Sequence, residues 1–317
     1  MKRLLLCVCA FVLLAAGAEA RGRGEQERSN GKINVVATIF PAYDFVREIT
    51  GDRANLTMLL PPAAESHSFE PTPRDIITVQ NCDVFIYVGG ESDAWVERIL
   101  ESMDANHMKI ITLMDCVDVV EELIVEGMQE EEEESDHGEE AAEYDEHVWT
   151  SPRNAQLIVW KIADALKSTD PANAAEYEKN AVSYIAKLTE LDASFQEALR
   201  GAMRKTIIFG DRFPFRYFAD AYGLSYFAAF PGCSTETEAS AATVAFLIDK
   251  VRAEKIPVVF HIELSNERIA DTICGETGAR KLLLHAVHNV SKRDFEGGAS
   301  YYSLMSANVA NLRAAVQ

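Results

Sequence analysis

Ile33-Asn34-Val35-Val36-Ala37-Thr38-Ile39-Phe40-Pro41 is a run of β-branched and small apolar residues closed by a proline, and an amphipathic stretch follows it through Ile49. A proline is tolerated in the first turn of a helix, where its missing N–H would have no partner. The segment therefore reads as a strand feeding directly into a helix. The same alternation recurs downstream. Leu56 to Leu60 reads as a strand, Pro73 to Gln80 as a helix, Val84 to Val88 as a buried strand ending at Gly89-Gly90, Trp95 to Met103 as a helix, and Ile110 to Leu113 as a strand. Strands separated by helices of this length pair in parallel through right-handed crossovers, which predicts the α/β class.

From Pro171 to Gly201 the chain has no internal proline or glycine, and Tyr177, Ala181, Tyr184, Leu188, Leu191, Phe195 and Ala198 fall on one stripe. The spacing predicts a single helix of about 30 residues, on the order of 45 Å long, a stiff spine between two α/β blocks. Beyond it the alternation resumes. Thr206 to Phe209 reads as a strand, Phe215 to Tyr222 as a helix closed by Gly223, Ser240 to Glu254 as a helix, and Val258 to Ile262 as a strand. A helix over Asn266 to Cys274, a strand over Lys281 to Leu284 and a terminal helix over Tyr301 to Val316 complete the pattern.

Met1-Lys2-Arg3, the apolar run Leu4 to Gly17 and the small-x-small site Ala18-Glu19-Ala20 form a cleavable export signal over residues 1–20. The run is shorter than the ~20 apolar residues a membrane span requires. An exported protein, periplasmic or associated with the cell surface, is the expectation, and whether it is released or anchored stays open. Processing would leave Cys82, Cys116, Cys233 and Cys274, an even number that permits disulfides without fixing a pairing.

The formal net charge is -20, and fourteen acidic residues with no Lys or Arg crowd Glu121 to Glu146. Without them the remaining acids nearly balance the bases. Such a block is expected to be a mobile solvated loop, and with His137 inside it and His147 at its end it also draws divalent cations. An acidic balance disfavours nucleic acid as a partner.

Four candidate ligands share one address. His67 lies in a turn between a strand and a helix, His147 follows the acidic tract, Asp211 follows the strand Thr206 to Phe209, and His285 follows the strand Lys281 to Leu284. In an open parallel sheet the loops beyond the carboxyl ends of the strands line the binding crevice. Each also has a plainer explanation, a solvated loop histidine or a local aspartate cap.

Residues Asn34 to Pro41, Glu65 to Pro73, Asn81 to Gly90 and Glu146 to Trp149, followed by the long helix, resemble the zinc and manganese solute-binding proteins (cluster A-I type) of bacterial ABC importers. The segment His67-Ser68-Phe69-Glu70-Pro71-Thr72-Pro73 is the most specific part of the likeness. The resemblance implies two Rossmann-like lobes with parallel sheets, joined by one long rigid helix, with a metal site in the interlobe cleft. On this chain the N-terminal lobe would span 32–168 with the acidic loop 121–146, the linking helix 169–202 and the C-terminal lobe 203–317.

The family's first two ligands match His67 and His147. An ungapped match puts Arg212, which cannot bind a cation, at the third, with Asp211 the adjacent carboxylate; His285 occupies the fourth. Glu263 and His288 are rivals for the C-terminal positions, while His261 is expected to pack within its strand. Three imidazoles and one carboxylate favour Zn2+ as the transported ligand, with Mn2+ the alternative. The implied partners are an ABC importer permease and the metal ion, with the protein a monomer and not an enzyme. Two other classes stay open. A zinc hydrolase would need a base beside a ligand, and none of the usual motifs is present. A chelate- or cofactor-binding protein of the same architecture would use Arg212 and Phe213 to line its cleft.

Overall fold

In the computed structural model, residues 31–65, 68–128, 143–234 and 238–317 are described. The export signal 1–20, His67 and His137 lie outside the described residues. The first sheet is built from β1 (Ile33–Ala37), β2 (Ala54–Met58), β3 (Val84–Tyr87) and β4 (Lys109–Thr112), with α1 (Phe40–Thr50), α2 (Pro73–Gln80) and α3 (Ala94–Glu101) between them. Two further helices follow, α4 (Pro152–Thr169) and α5 (Ala174–Leu199). The second sheet comprises β5 (Thr206–Phe213), β6 (Ser225–Pro231), β7 (Val258–His261) and β8 (Arg280–Leu283). Its helices are α6 (Arg216–Tyr222), α7 (Ala241–Glu254), α8 (Arg268–Thr277), α9 (Lys292–Glu296) and α10 (Tyr301–Val316).

Both sheets are wholly parallel and share one topology, β2-β1-β3-β4 and β6-β5-β7-β8. The expected α/β class with two parallel sheets is what the chain adopts. In each, the strand order reverses between the first and third strands, which opens a crevice at their carboxyl ends.

The alternation of side chains along the strands divides the core. Val35, Ala37, Val84 and Ile86 of the first sheet and Ile207, Phe209, Val258 and Phe260 of the second all enter one shared cluster. Their neighbours Val36 and Phe85 face a separate layer under α2 and α3, and Ile208 and Val259 face another under α7 and α8. Period-two alternation thus covers both faces of each sheet, and the inward faces meet in common apolar packing.

Helix α5 buries Tyr177, Ala181, Tyr184, Leu188, Leu191, Phe195 and Ala198, and it packs on α1, α4, α6 and α10. Asn173 stands at its N-cap, so it begins later than the proline at 171 suggests. The buried carboxylate of Asp44 in α1 accepts a 2.7 Å hydrogen bond from the Tyr301 amide at the start of α10.

Four local features depart from the sequence expectations. Helices α4 and α9 and strand β6 were not anticipated. Strand β5 also runs on to Phe213, past a register shift between Phe209 and Arg212, so Asp211 lies inside the strand rather than beyond it. Gly210-Asp211 carries turn chemistry, but β6 offers a partner on the far side of the irregularity and Pro214 then ends the ladder. The acidic tract is tied at both ends, with Glu121 bridged antiparallel to Tyr144 and Asp145 and Glu146 buried; residues 129–142 lie outside the described residues. Cys82, Cys116, Cys233 and Cys274 are all free thiols. No helix among the described residues is long and apolar enough to cross a membrane.

Candidate metal centre

The loops beyond the strand ends converge as the topology requires. His147 is fully buried just ahead of α4, and His288 is buried in the turn after β8. Their rings stand edge to face with centroids 4.7 Å apart, and Trp149 closes the group, 5.6 Å from one and 5.4 Å from the other. The Trp149 indole N–H donates to the carbonyl of Ala286 at 2.8 Å, which anchors the turn carrying His288 to the segment carrying His147.

Each ring is oriented by a buried carboxylate at Nδ1. Asp145 Oδ1 lies 3.0 Å from His147 Nδ1 and also accepts the His147 amide at 2.8 Å. Glu263 Oε1 lies 3.4 Å from His288 Nδ1 and accepts the His288 amide at 2.8 Å. Carboxylate contact at Nδ1 fixes ring direction and makes Nε2 the coordinating nitrogen, the arrangement that metal-binding histidines favour.

Glu263 does more than orient one ring. Its other oxygen accepts the Ala286 amide at 2.7 Å and sits 3.4 Å from His285 Nδ1. Between the two histidines Val287 holds φ at 63°, and its amide donates to His285 Nδ1 at 3.0 Å. A β-branched residue in the left-handed region costs about 1–2 kcal/mol, so the turn needs the clasp that Glu263 supplies. His285 is held further by Asn308, whose Oδ1 accepts the His285 amide and whose Nδ2 donates to the His285 carbonyl, both at 2.8 Å.

The electrostatics follow from this packing. Burial alone would raise Glu263, but the imidazoles of His285 and His288 and the amide of Ala286 outweigh it and hold the carboxyl at about 2. Burial also opposes charge on His147, yet Asp145, Glu146 and Glu122 prevail and its pKa is raised. For His288 burial wins, helped by His147 and Arg212 against Glu263, and its pKa is lowered. Two imidazolium rings this close repel, so one ring holds a proton at the expense of the other.

Asp211 is buried, with Oδ1 accepting the Arg212 amide at 2.9 Å and Oδ2 the Ile262 amide at 3.2 Å. Its two oxygens thus stitch β5 to the end of β7. Arg212 reaches the other way. Its guanidinium makes two 3.2 Å hydrogen bonds to the oxygens of Glu65 and one of 3.1 Å to the carbonyl of Ser234.

His147, His285 and Asp211 are all in the interior, and His288 and Glu263, the rivals, stand with them. Asp145 escaped sequence reasoning, although a carboxylate two residues before a candidate histidine was a readable signal. A second group of donors lies at the root of the acidic tract, where ligand atoms of Glu122, Glu143 and Cys233 come within 4.8 Å of one another.

Comparison with known proteins gives a consistent picture. The family described as zinc-uptake complex component A, periplasmic (ZnuA), matches residues 35–315. The zinc-binding lipoprotein AdcA of Streptococcus pneumoniae (strain ATCC BAA-255 / R6) is 33% identical over 312 residues, covering 98% of this chain and 60% of that protein. The high-affinity zinc uptake system protein ZnuA of Bacillus subtilis (strain 168) is 33% identical over 312 residues, covering 98% of this chain and 96% of that protein. The crystal structure of the Zn(II)-bound ZnuA-like domain of Streptococcus pneumoniae AdcA superposes with a TM-score of 0.74 at 30% identity, covering 90% of this chain and 99% of that one. The chain thus spans only 60% of the length of the AdcA relative.

Proposed function

The chain belongs to the family of periplasmic zinc-uptake components, and on that footing we propose that it captures Zn2+ outside the cytoplasm and delivers it to the permease of an ABC importer. The observation that carries the reading is the pair His147 and His288, two buried imidazoles 4.7 Å apart, each oriented by its own carboxylate. His67 completes the proposed set by resemblance alone. His285 and Asp211, also candidates from sequence, would serve as supports of the turn and of strand β5. The two lobes would divide at residues 32–168 and 203–317 about the helix between them.

Nitrogen-rich coordination suits zinc, whereas manganese prefers carboxylates and water. The zinc-binding function of the AdcA and ZnuA relatives supports the same choice. The protein's work is binding rather than catalysis. The imidazoles, each oriented by its buried carboxylate, present the cation with fixed donors, and binding requires the coordinating nitrogens to be free of protons. The signal at 1–20 would place the protein in the periplasm or at the cell surface.

The test is direct. The mature protein, purified without chelator and titrated against a zinc-selective indicator, is expected to bind one Zn2+ at submicromolar affinity and Mn2+ at least tenfold more weakly. Preference for Mn2+, or no divalent binding tighter than micromolar, would overturn the reading.

A further inference from the structure

Arg212 stands where the resemblance implies a metal ligand, yet a guanidinium has five donors and no lone pair to give. The structure shows what it does instead. It joins the end of β5 to the segment after β2 through a two-pronged ion pair with Glu65, and its third bond, to the Ser234 carbonyl, fixes it to the loop after β6. The arginine is partly buried, its side chain 15% exposed, while Glu65 is 43% exposed.

The segment that carries Glu65 is held on its other flank by residues next to His288. Ala63 donates its amide to the Val290 carbonyl at 2.8 Å, and Asn289 Nδ2 donates to the carbonyls of Pro61 and Ala64 at 2.7 and 2.9 Å. A recess of about 10 Å³, room for roughly one water, is lined by Glu65, Arg212, Glu263, His288 and Asn289. The Arg212–Glu65 pair therefore spans a recess that reaches the proposed ligand His288.

We infer that Arg212 is a positioning residue for cation retention, acting through Glu65 to hold the segment 61–65 across this recess so that the ion pair must open before the cation leaves. The inference rests on the reading that His147 and His288 hold the cation. A planar two-pronged pair is directional as well as attractive, so lysine replaces arginine only in part. Its partly exposed partner makes it sensitive to salt.

The experiment is a chelator chase of Zn2+ from the mature protein in a stopped-flow instrument, with Arg212→Gln, Glu65→Gln, the double variant and Arg212→Lys, each checked for an unchanged far-ultraviolet spectrum. Each glutamine variant is expected to release zinc about fivefold faster, the size an ion pair of this exposure supports. The double variant should be no faster than either single one, and Arg212→Lys should fall between. Raising NaCl should speed release from the wild type and leave Arg212→Gln unmoved. Unchanged release, independent additive effects, or equal salt dependence in all proteins would overturn the inference. Amide hydrogen exchange of Ala63 to Glu65 in metal-free protein separates the two readings, because it should quicken in both glutamine variants whatever the cation. A wild type that binds no zinc would sink the proposed function, and unaltered exchange would sink the positioning role.

Discussion

His147 and His288 come from opposite halves of the chain and meet edge to face at 79°, each with a carboxylate at Nδ1. The first lies ahead of α4 and the second beyond β8, so the pair exists only when the two sheets are packed against each other.

His147→Ala and His288→Ala should each weaken zinc binding by about a hundredfold or more, since each removes a donor, while Asp211→Asn should change affinity less than about threefold. Asp211→Asn should lower stability instead, by about 1–3 kcal/mol, because an amide replaces a carboxylate that accepts two buried amides. Competition titration and urea unfolding measure the two effects. A large affinity loss in Asp211→Asn with full stability would return Asp211 to the ligand set.

Glu263→Gln should cost roughly 10- to 100-fold in zinc affinity and loosen the turn from His285 to His288. A glutamine offers one acceptor oxygen where the carboxylate takes the Ala286 and His288 amides on two. Hydrogen exchange at Val287 should rise in the metal-free variant.

Zinc affinity should fall as pH drops, and the fall should begin above the ordinary histidine value, because the raised His147 holds its proton to higher pH. Asp145→Asn removes an anion that raises His147, so it should shift that fall to lower pH even as it weakens binding overall. Titration at pH 8, 7, 6 and 5 tests the shift; a profile that stays in place would show that Asp145 does not govern His147.

Burial raises Asp44 to about 6 and Asp93 to about 7 from the ordinary 3.8. The folded protein then retains protons that the unfolded chain releases, so stability rises as pH falls through those values and levels off near the unfolded pKa. At neutral pH the two charges cost on the order of 3 kcal/mol each. Thermal unfolding of metal-free protein between pH 8 and 5 should show the rise, flattened in Asp44→Asn and Asp93→Asn.

Gly232→Ala should disturb the centre without unfolding the chain. An added Cβ would lie 2.9 Å from the Phe213 carbonyl oxygen and 3.0 and 3.1 Å from Cε1 and Nδ1 of His147. The Phe213 carbonyl has to shift and the imidazole to give by a few tenths of an ångström, and zinc affinity should drop about tenfold with the far-ultraviolet spectrum unchanged.

The strand-helix alternation and the stripe on α5 were legible because they depend on local periodicity. The seven stripe residues from Tyr177 to Ala198 are the ones α5 buries. Strand β5 was misjudged at its end because Gly210-Asp211 has turn chemistry, and only pairing with β6 carries the strand past it. Helix α4 had a readable pattern in Ala155, Ile158, Val159, Ile162, Ala163 and Leu166, all of which it buries. The histidines and carboxylates were visible as residue types beyond strand ends, but their pairing was not.

The sequence by itself determined the α/β class and the parallel alternation, because apolar period and turn chemistry act between near neighbours. Only the tertiary structure decided that Glu263 faces His285 and His288, that Asp211 stitches two strands, and that Arg212 reaches Glu65. Those contacts join residues distant in the chain, brought together by strand pairing within the second sheet and by the packing of the two sheets, neither of which a local pattern encodes.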